Sequence, residues 1–213
     1  MIALGPLLAA FIQEPLSPEQ LRKLQAHLDL LLKWNAKMSL TAIRDPEQIV
    51  RRHFGESLFA GAQLGPNPNA QLADLGSGAG FPGLPIAVLC PETKVILIES
   101  QQKKVAFLRE VIRSAQISNA SVYAGRAESL ALQSQIVTMR AVEKFDSVLG
   151  VAASLVAPEG ELALLIGTAQ TQTARSRLGD FQWKEPLAIP DSRERVLLVG
   201  TKPARAFKLP MCE

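Results

Sequence analysis

The chain has very few of the side chains that build disulfide frameworks and metal sites. It has 213 residues but only two cysteines, Cys90 and Cys212, and only two histidines, His27 and His53. Such a small set excludes a disulfide-rich scaffold and leaves too few ligands for a zinc cluster. We therefore predict no metal cofactor, and a reducing, cytoplasmic environment for the chain.

Long apolar runs, internal repeats and low-complexity tracts are also missing. No apolar stretch approaches the length that spans a bilayer, so we expect no contact with a membrane. The apolar start at residues 1–12 has no basic region before it and is not predicted to be a signal peptide. Aromatic residues make up 5% of the chain, with one tyrosine, which argues against an RNA-binding sheet that stacks bases on aromatic rings.

The residues that are present have the ordinary composition of a globular protein. Hydrophobic residues make up 47% and charged residues 20%, and the net charge is +3. The length suits one well-buried domain with an appended helical segment. The mild positive charge is compatible with an RNA partner but does not by itself indicate one.

A break in the hydrophobic pattern, at residues 65–69, divides the chain into two predicted parts. Residues 1–65 have helical periodicity and form an N-terminal helical segment that packs on the rest. One helix is predicted to begin at Ser17, which is followed by proline and then by a glutamine placed for a capping box. The same signal at Asp45 begins a second helix, predicted to run to about Gly61.

Residues 66–213 have short apolar strands that alternate with helices. This order predicts an α/β fold with a mostly parallel sheet covered on both faces. The last two strands have no helix between them, so we expect an antiparallel C-terminal hairpin at one edge of a seven-stranded, Rossmann-like sheet. A turn is predicted at 158–160, and a helix before it at 143–156. The predicted strands are 71–75, 94–98, 120–124, 135–141, 161–166, 183–189 and 195–201.

A glycine-rich loop follows the first predicted strand, at residues 74–83 (DLGSGAGFPG). Glycines allow a sharp turn and a close approach to a ligand, and the helix beyond offers free N–H groups. Glu99 ends the second strand, where a carboxylate accepts hydrogen bonds from ribose hydroxyls. Together the loop and the acid form the layout of an adenosine-binding site.

The loop alone does not choose the cofactor. Gly78, Gly80 and Gly83 also satisfy the G-x-G-x-x-G pattern of nicotinamide and flavin enzymes. Asp74 favours S-adenosylmethionine instead, because a carboxylate there would meet its cationic end but would repel a pyrophosphate. The lack of room for a second nucleotide-binding half and the antiparallel hairpin favour the same cofactor.

Six separate stretches carry a resemblance to one enzyme family. In chain order they are Trp34-Asn35 with Leu40-Thr41-Ala42-Ile43, Arg52-His53-Phe54 with Ser57-Leu58, the loop 74–83, Lys104 with Phe107-Leu108, Arg126-Ala127-Glu128, and Arg140-Ala141-Val142. In this order the chain resembles the RsmG (GidB) family of small-subunit rRNA methyltransferases, over about residues 17–200. The resemblance implies a class I methyltransferase fold, and we expect the protein to be a monomer.

The resemblance also implies an activity and a set of site residues. The reaction would transfer a methyl group from S-adenosylmethionine to N7 of one guanine in 16S rRNA, in the 527 loop near the decoding site. The cofactor would be held by Glu99 at the ribose and by the pair Ala127-Glu128 beside the adenine. The other residues expected at the cofactor are Asp74, Gly76, Ser77, Gly78, Gly80, Phe81 and Arg140. Phe81 has an alternative role, which is to pack the following helix onto the sheet.

Two residues are the candidates for catalysis, Arg140 and His53. Guanine N7 has a lone pair and no proton, so methyl transfer to it needs positioning rather than a general base. Arg140 would bind guanine O6 or a phosphate, since its planar fork suits both. His53 would form a wall of the pocket or hold Arg140. The alternative is that His53 and Glu56, three residues apart on one helix, pair on the surface or cap the contact between the two parts of the chain.

Four cationic residues are the predicted RNA contacts: Arg51, Arg52, Lys103 and Lys104. They would bind phosphates, which fixes position without reading sequence. Arg51 could instead belong to an ordinary solvated face. Further cationic residues gather at 193–195 and 202–208.

Three positions depart from the family pattern: Ser39 stands where asparagine is usual, Glu56 where aspartate is usual, and Ile166 where a lysine is usual. The missing lysine removes a positive charge near the expected RNA face. A methyltransferase acting on another acceptor therefore stays open as an alternative.

Overall fold

A mixed eight-stranded sheet forms the centre of the computed structural model, which describes residues 2–65, 67–68, 70–140 and 145–204. The strands are β1 (Gln71–Leu75), β2 (Lys94–Glu99), β3 (Ala120–Ala124), β4 (Ser134–Arg140), β5 (Val156–Gly167), β6 (Gln182–Trp183), β7 (Leu187–Ala188) and β8 (Arg195–Thr201). The α-helices are α1 (Leu4–Leu8), α2 (Pro18–Asn35), α3 (Pro46–Ile49), α4 (Glu56–Leu64), α5 (Gly83–Leu89), α6 (Gln102–Ala115), α7 (Phe145–Leu155) and α8 (Thr171–Arg177). Short 3₁₀ turns lie at Ala127–Ser129 and Thr168–Gln170.

The strand order is β3-β2-β1-β4-β5-β8-β6, and β7 also pairs with β8. Strands β1 to β5 are parallel, whereas β8 runs antiparallel to β5, β6 and β7. The α/β fold and the antiparallel C-terminal hairpin are therefore confirmed. The predicted strand 183–189 is two short strands, because Pro186 between them has no N–H to donate to the ladder.

Strand β5 begins at Val156, five residues before the predicted start at Glu161, and the predicted turn at 158–160 is an irregularity within it. Ser134 of β4 pairs with Val156 and Ile136 pairs with Glu161, so the register shifts between these pairs. Gly160 is required there, since a Cβ atom on it would lie 2.8 Å from the Gln135 carbonyl oxygen. The prediction missed that glycine lets the strand continue through a bulge.

Helix α2 begins as predicted. The Ser17 hydroxyl accepts a hydrogen bond from Gln20 N at 3.2 Å, and the Gln20 side chain accepts one from Ser17 N at 2.9 Å. The predicted helix 143–156 corresponds to α7, which begins at Phe145 among the described residues. Residues 141–144, with the end of the predicted fourth strand, lie outside the described residues, as do residues 205–208 of the cationic cluster.

The helix predicted from Asp45 to about Gly61 is three helical segments in succession. Asp45 caps α3 by accepting a hydrogen bond from Gln48 N at 2.8 Å. A π-helical segment, Val50–Gly55, then separates α3 from α4. The pattern of apolar residues did not predict this wider turn, which contains Arg52 and His53.

The N-terminal helices and the sheet share one buried core. Fully buried side chains of Leu24, Leu28 and Phe54 belong to the same apolar cluster as Leu84 of α5 and Phe107 of α6. Helix α2 thereby lies against the face that carries α5 and α6, the helices that follow β1 and β2. No helix within the described ranges is long and apolar enough to cross a bilayer.

Candidate cofactor and catalytic site

The glycine loop turns directly after β1 in a left-handed backbone conformation. Gly76, Gly78 and Gly80 have φ angles of 68°, 56° and 89°, which side chains other than glycine rarely adopt. The carbonyl oxygen of Ile98 on β2 accepts hydrogen bonds from Gly76 N at 3.0 Å and from Ser77 N at 3.1 Å. The first half of the loop is therefore held by the end of the neighbouring strand.

Asp74 is fully buried beneath the loop. Its carboxylate accepts hydrogen bonds from Gly83 N at 3.2 Å and from the Thr138 hydroxyl at 2.8 Å. The Ser77 hydroxyl donates to the Asp74 carbonyl oxygen at 2.8 Å. Burial raises the pKa of Asp74 to about 6. Asp74 thus ties the loop to α5 and β4, and Ser77 closes the turn within the loop, while direct contact of either with the cofactor stays a prediction.

The glycines of the loop have different surroundings. A Cβ atom on Gly80 would lie 2.4 Å from Leu84, and one on Gly83 would lie 2.4 Å from Leu97 and 2.8 Å from the Asp74 carboxylate. At Gly78 the nearest neighbour would be the Gly76 carbonyl oxygen, 3.7 Å away. Gly83 therefore allows α5 to pack closely on the sheet and Gly80 lies against Leu84 of α5, whereas Gly78 is not crowded.

Glu99 lies where the sequence predicts it, at the carboxyl end of β2. One carboxylate oxygen accepts a hydrogen bond from Gly78 N at 3.0 Å and the other from Gln101 N at 2.8 Å. Each oxygen can accept more than one hydrogen bond, so the group keeps capacity for a ligand.

A cavity at this edge brings together four of the predicted cofactor residues: Gly76, Glu99, Ala127 and Glu128. Leu75 and Ile98 from the strands and Val148 and Val151 from α7 supply apolar walls. Apolar walls with a few polar groups at the rim suit an adenosine. The other predicted cofactor residues, Asp74, Ser77, Gly78, Gly80, Phe81 and Arg140, are not among those that line it.

Arg140, at the carboxyl end of β4, belongs to a buried ion cluster centred on Glu56. The Glu56 carboxylate, which is 1% exposed, lies 3.1 Å from Arg52 Nε, 3.2 Å from Arg140 Nη2 and 2.9 Å from Arg195 Nη2. Three guanidinium groups around one carboxylate leave two net positive charges. Burial lowers the pKa of Arg140 to about 10, so this side chain stays charged at neutral pH.

His53 joins the same cluster and holds Arg140. Its Nδ1 accepts a hydrogen bond from Arg140 Nη2 at 2.9 Å, which places the ring proton on Nε2, 2.7 Å from the Thr41 hydroxyl oxygen. Burial and the nearby arginines lower the pKa of His53 to about 3, so the ring is neutral. The contact with Arg140 is one of the two predicted roles, and the alternative of a surface pair with Glu56 is wrong because Glu56 is buried.

The predicted RNA contacts lie in two places. Arg51 pairs with Asp191 at 2.7 Å, and Arg52, 42% exposed, pairs with Glu56. Lys103 and Lys104 lie in the first turn of α6, Lys103 exposed and Lys104 half-buried. Lys103 also lines a groove between the end of α2 and α6. The residues of this groove are Lys33, Trp34, Lys37, Met38, Lys103 and Glu110.

Sequence reasoning missed the central place of Glu56 and the contribution of Arg195. The four-residue spacing of Arg52 and Glu56 on one helix was an available signal for the first pair. No local sequence pattern could predict the contact of Arg195 with Glu56, because the two residues are 139 positions apart along the chain. Ile166, where the family usually has lysine, is 3% exposed and packs in the core on the α7 side of the sheet.

The chain matches known proteins along most of its length. Residues 20–195 match the family model described as rRNA small subunit methyltransferase G (GidB). The enzyme named ribosomal RNA small subunit methyltransferase G from Xylella fastidiosa (strain M23) is 43% identical over 146 residues, 68% of each chain. Its counterpart from Xanthomonas axonopodis pv. citri (strain 306) is 36% identical over 210 residues, 94% of this chain and 98% of the relative.

Solved structures show the same fold at low identity. A SAM-dependent methyltransferase from Aquifex aeolicus has a TM-score of 0.60 at 14% identity, and the match covers 80% of this chain and 97% of the Aquifex chain. A predicted O-methyltransferase from Agrobacterium tumefaciens has a TM-score of 0.58 at 19% identity, and the match covers 70% of this chain and 81% of the Agrobacterium chain. The Rossmann-like methyltransferase fold expected from the sequence is therefore confirmed.

Proposed function

Since the chain belongs to the rRNA small subunit methyltransferase G family, we propose that it methylates N7 of one guanine in 16S rRNA, with S-adenosylmethionine as the methyl donor. The family match over residues 20–195 carries this proposal. The target guanine is the one in the 527 loop of the small ribosomal subunit. We further propose that the enzyme is a cytoplasmic monomer.

The residues at the cavity fit the proposed cofactor. Glu99 has free acceptor capacity for ribose hydroxyls, and Gly76 brings backbone close to the ligand at the end of β1. Ala127 and Glu128 line the side proposed for the adenine. A Cβ atom on Gly78 would meet no atom closer than 3.7 Å, so the backbone beside Glu99 is not crowded. When bound, S-adenosylmethionine supplies an electrophilic methyl group.

The protein's task in this reaction is to position the guanine. N7 needs no deprotonation, which agrees with a neutral His53 that already accepts a hydrogen bond from Arg140. Arg140 follows Met139, which pairs with Leu75 immediately before Gly76 of the glycine loop. Its guanidinium is oriented by Glu56 and His53, and we assign to it the O6 atom or a phosphate of the target nucleotide.

The RNA is proposed to lie across Arg52 and the groove at the start of α6. Lys33, Lys37 and Lys103 are exposed around this groove, and the Trp34 ring forms part of its floor. The Trp34 N–H donates to the Glu110 carboxylate at 2.9 Å, so this acid is partly satisfied. Lysines around an apolar floor suit a phosphate backbone with an unstacked base.

Transfer of tritium tests the proposal. The protein is incubated with methyl-tritiated S-adenosylmethionine and small subunits from a strain that lacks this modification, with modified subunits as control. Label recovered as 7-methylguanine from the unmodified subunits alone is the expected result. Cofactor binding without label on RNA would overturn the proposal that 16S rRNA is the methyl acceptor. The alternative of a methyltransferase that acts on another acceptor would then remain.

A further inference from the structure

His27 of α2 lies buried beneath the glycine loop, 1% exposed. Its Nε2 atom is 2.9 Å from the carbonyl oxygen of Ala79, at the middle of the loop. A carbonyl only accepts hydrogen bonds, so Nε2 carries the proton and donates it. Burial lowers the pKa of His27 to about 4, which keeps the ring neutral and leaves Nδ1 without a proton at neutral pH.

The Phe81 ring of the same loop lies between two histidine rings. Its centroid is 4.9 Å from that of His27 at an interplanar angle of 17°, and 5.0 Å from that of His53 at 28°. Phe54 packs against both His27 and Phe81. Phe81 therefore connects His27 to the residue that holds Arg140, and packing is its observed role.

The buried Nδ1 atom of His27 has no hydrogen-bond partner among the described residues. An unsatisfied buried nitrogen costs free energy that a phenylalanine of similar shape would avoid. The neighbours of the ring, Phe54, Phe81 and Phe107, would suit phenylalanine. What histidine adds at this position is the hydrogen bond to Ala79.

We propose that His27 is a positioning residue of the cofactor site, which holds the second half of the glycine loop through Ala79 and Phe81. The first half is held by Ile98 of β2. With both halves held, Gly78 between them presents its N–H to Glu99 at 3.0 Å. The inference rests on the proposed function, since it assumes that this loop binds S-adenosylmethionine.

The test compares His27→Phe with the wild-type protein. The variant keeps a ring, removes the unsatisfied Nδ1 and leaves the Ala79 carbonyl without its donor, so we expect the two effects to offset and the unfolding midpoint to stay close to that of the wild type. The dissociation constant for S-adenosylmethionine should rise roughly three- to tenfold, the range for one lost hydrogen bond. The KM for the cofactor should rise by a similar factor, with kcat at saturation within about twofold. Calorimetry and methyl-transfer kinetics give these values.

Two further variants make the result specific. His27→Gln retains an N–H donor and should recover part of the affinity. Phe181→Leu removes a buried ring that stacks on Trp183 at 5.7 Å, far along the chain from the loop, and should leave cofactor affinity unchanged. If His27→Phe does not fold, His27→Leu, which also lacks the donor, is measured in its place.

Wild-type affinity in the folded variant without the donor would overturn the proposal. So would an affinity loss in Phe181→Leu equal to that in His27→Phe, because the effect would then follow from general destabilisation. Failure of the wild-type protein to bind S-adenosylmethionine would instead overturn the proposed function. The two failures are therefore distinguishable.

Discussion

Single residues at the carboxyl edge of the sheet divide between binding and positioning. Glu99 has both roles: its carboxylate accepts a hydrogen bond from Gly78 N and so positions the loop, and it also lines the cavity proposed for the cofactor. Arg140 lies outside that cavity and is held by Glu56 and His53. Mutations at these two positions should therefore affect different steps.

Replacement of Glu99 by glutamine should weaken cofactor binding. The amide has one oxygen instead of two and would point an N–H₂ group at a backbone donor, either Gly78 N or Gln101 N. Loss of charge-assisted hydrogen bonds is worth about 1.5–3 kcal/mol, so the dissociation constant should rise roughly 10- to 100-fold. Calorimetric titration measures it, and Glu128→Gln in the same cavity is the control, with a smaller expected effect. An equal effect of the two changes would contradict the ribose role of Glu99.

Replacement of Arg140 by alanine should reduce turnover more than cofactor binding. The change removes the group assigned to the target nucleotide and leaves His53 Nδ1 without its donor. Misplacement of a reacting group costs about 10²-fold in rate, so we expect kcat to fall by that order while cofactor affinity changes less than about threefold. Arg175→Ala, which removes an arginine 3.8 Å from the exposed Glu185, is the control. Unchanged kcat in Arg140→Ala would show that the assignment is wrong.

At the scale of elements, the close contact of α5 with the sheet depends on Gly83. A Cβ atom there would overlap Leu97 and the Asp74 carboxylate, and overpacking of this kind costs about 1–3 kcal/mol. We expect Gly83→Ala to lower the free energy of unfolding by that amount in urea titrations.

Gly150 gives a matched control for this prediction. It lies within α7, and a Cβ atom there would have nothing within 4 Å. Since alanine favours helix over glycine by about 1 kcal/mol, Gly150→Ala should stabilise the protein. A destabilising Gly150→Ala, or a neutral Gly83→Ala, would contradict the packing described.

The elements whose form is dictated locally were predictable from the sequence. The capping box at Ser17 and the bounds of β1 were predicted as observed, because capping and apolar alternation act over a few residues. The bulge in β5 and the π-helical segment were not, since both depend on contacts made by distant parts of the chain. The same distinction holds in the site: Glu99 follows from its place after β2, whereas the contact of His27 with Ala79 joins residues 52 apart.

At the scale of the whole molecule, three buried groups make stability depend on pH. His27 and His53 have pKa values lowered to about 4 and about 3 from an ordinary 6.5, while that of Asp74 is raised to about 6 from 3.8. As pH falls from 6.5 to 4, the unfolded chain binds protons on two histidines and the native protein binds one on Asp74. The excess of one proton on the unfolded chain means that stability falls as pH falls.

These three groups contribute about 1.4 kcal/mol per pH unit to the slope near pH 5, and the slope is measured by urea unfolding between pH 7.5 and 4.5. His27→Phe should flatten this slope. In the variant the unfolded chain gains one proton, on His53, over this pH range, and the native protein also gains one, on Asp74, so the two gains cancel. The other ionisable groups are common to both proteins, so they cancel in the comparison. An unchanged slope in the variant would show that His27 does not stay neutral in the native protein.

The π-helical segment Val50–Gly55 gives this part of the chain one place where its length can change. A π turn accommodates one residue more than an α-helical turn. Deletion of one residue there, other than Arg52 or His53, can therefore close the π turn to an α-helical turn and keep the orientation of α4 relative to α3. A one-residue insertion has no such turn to close and would rotate α4 by about 100°, since an α-helix advances 3.6 residues per turn. Glu56 would then leave the three arginines that surround it, so we expect this segment to tolerate a deletion better than an insertion.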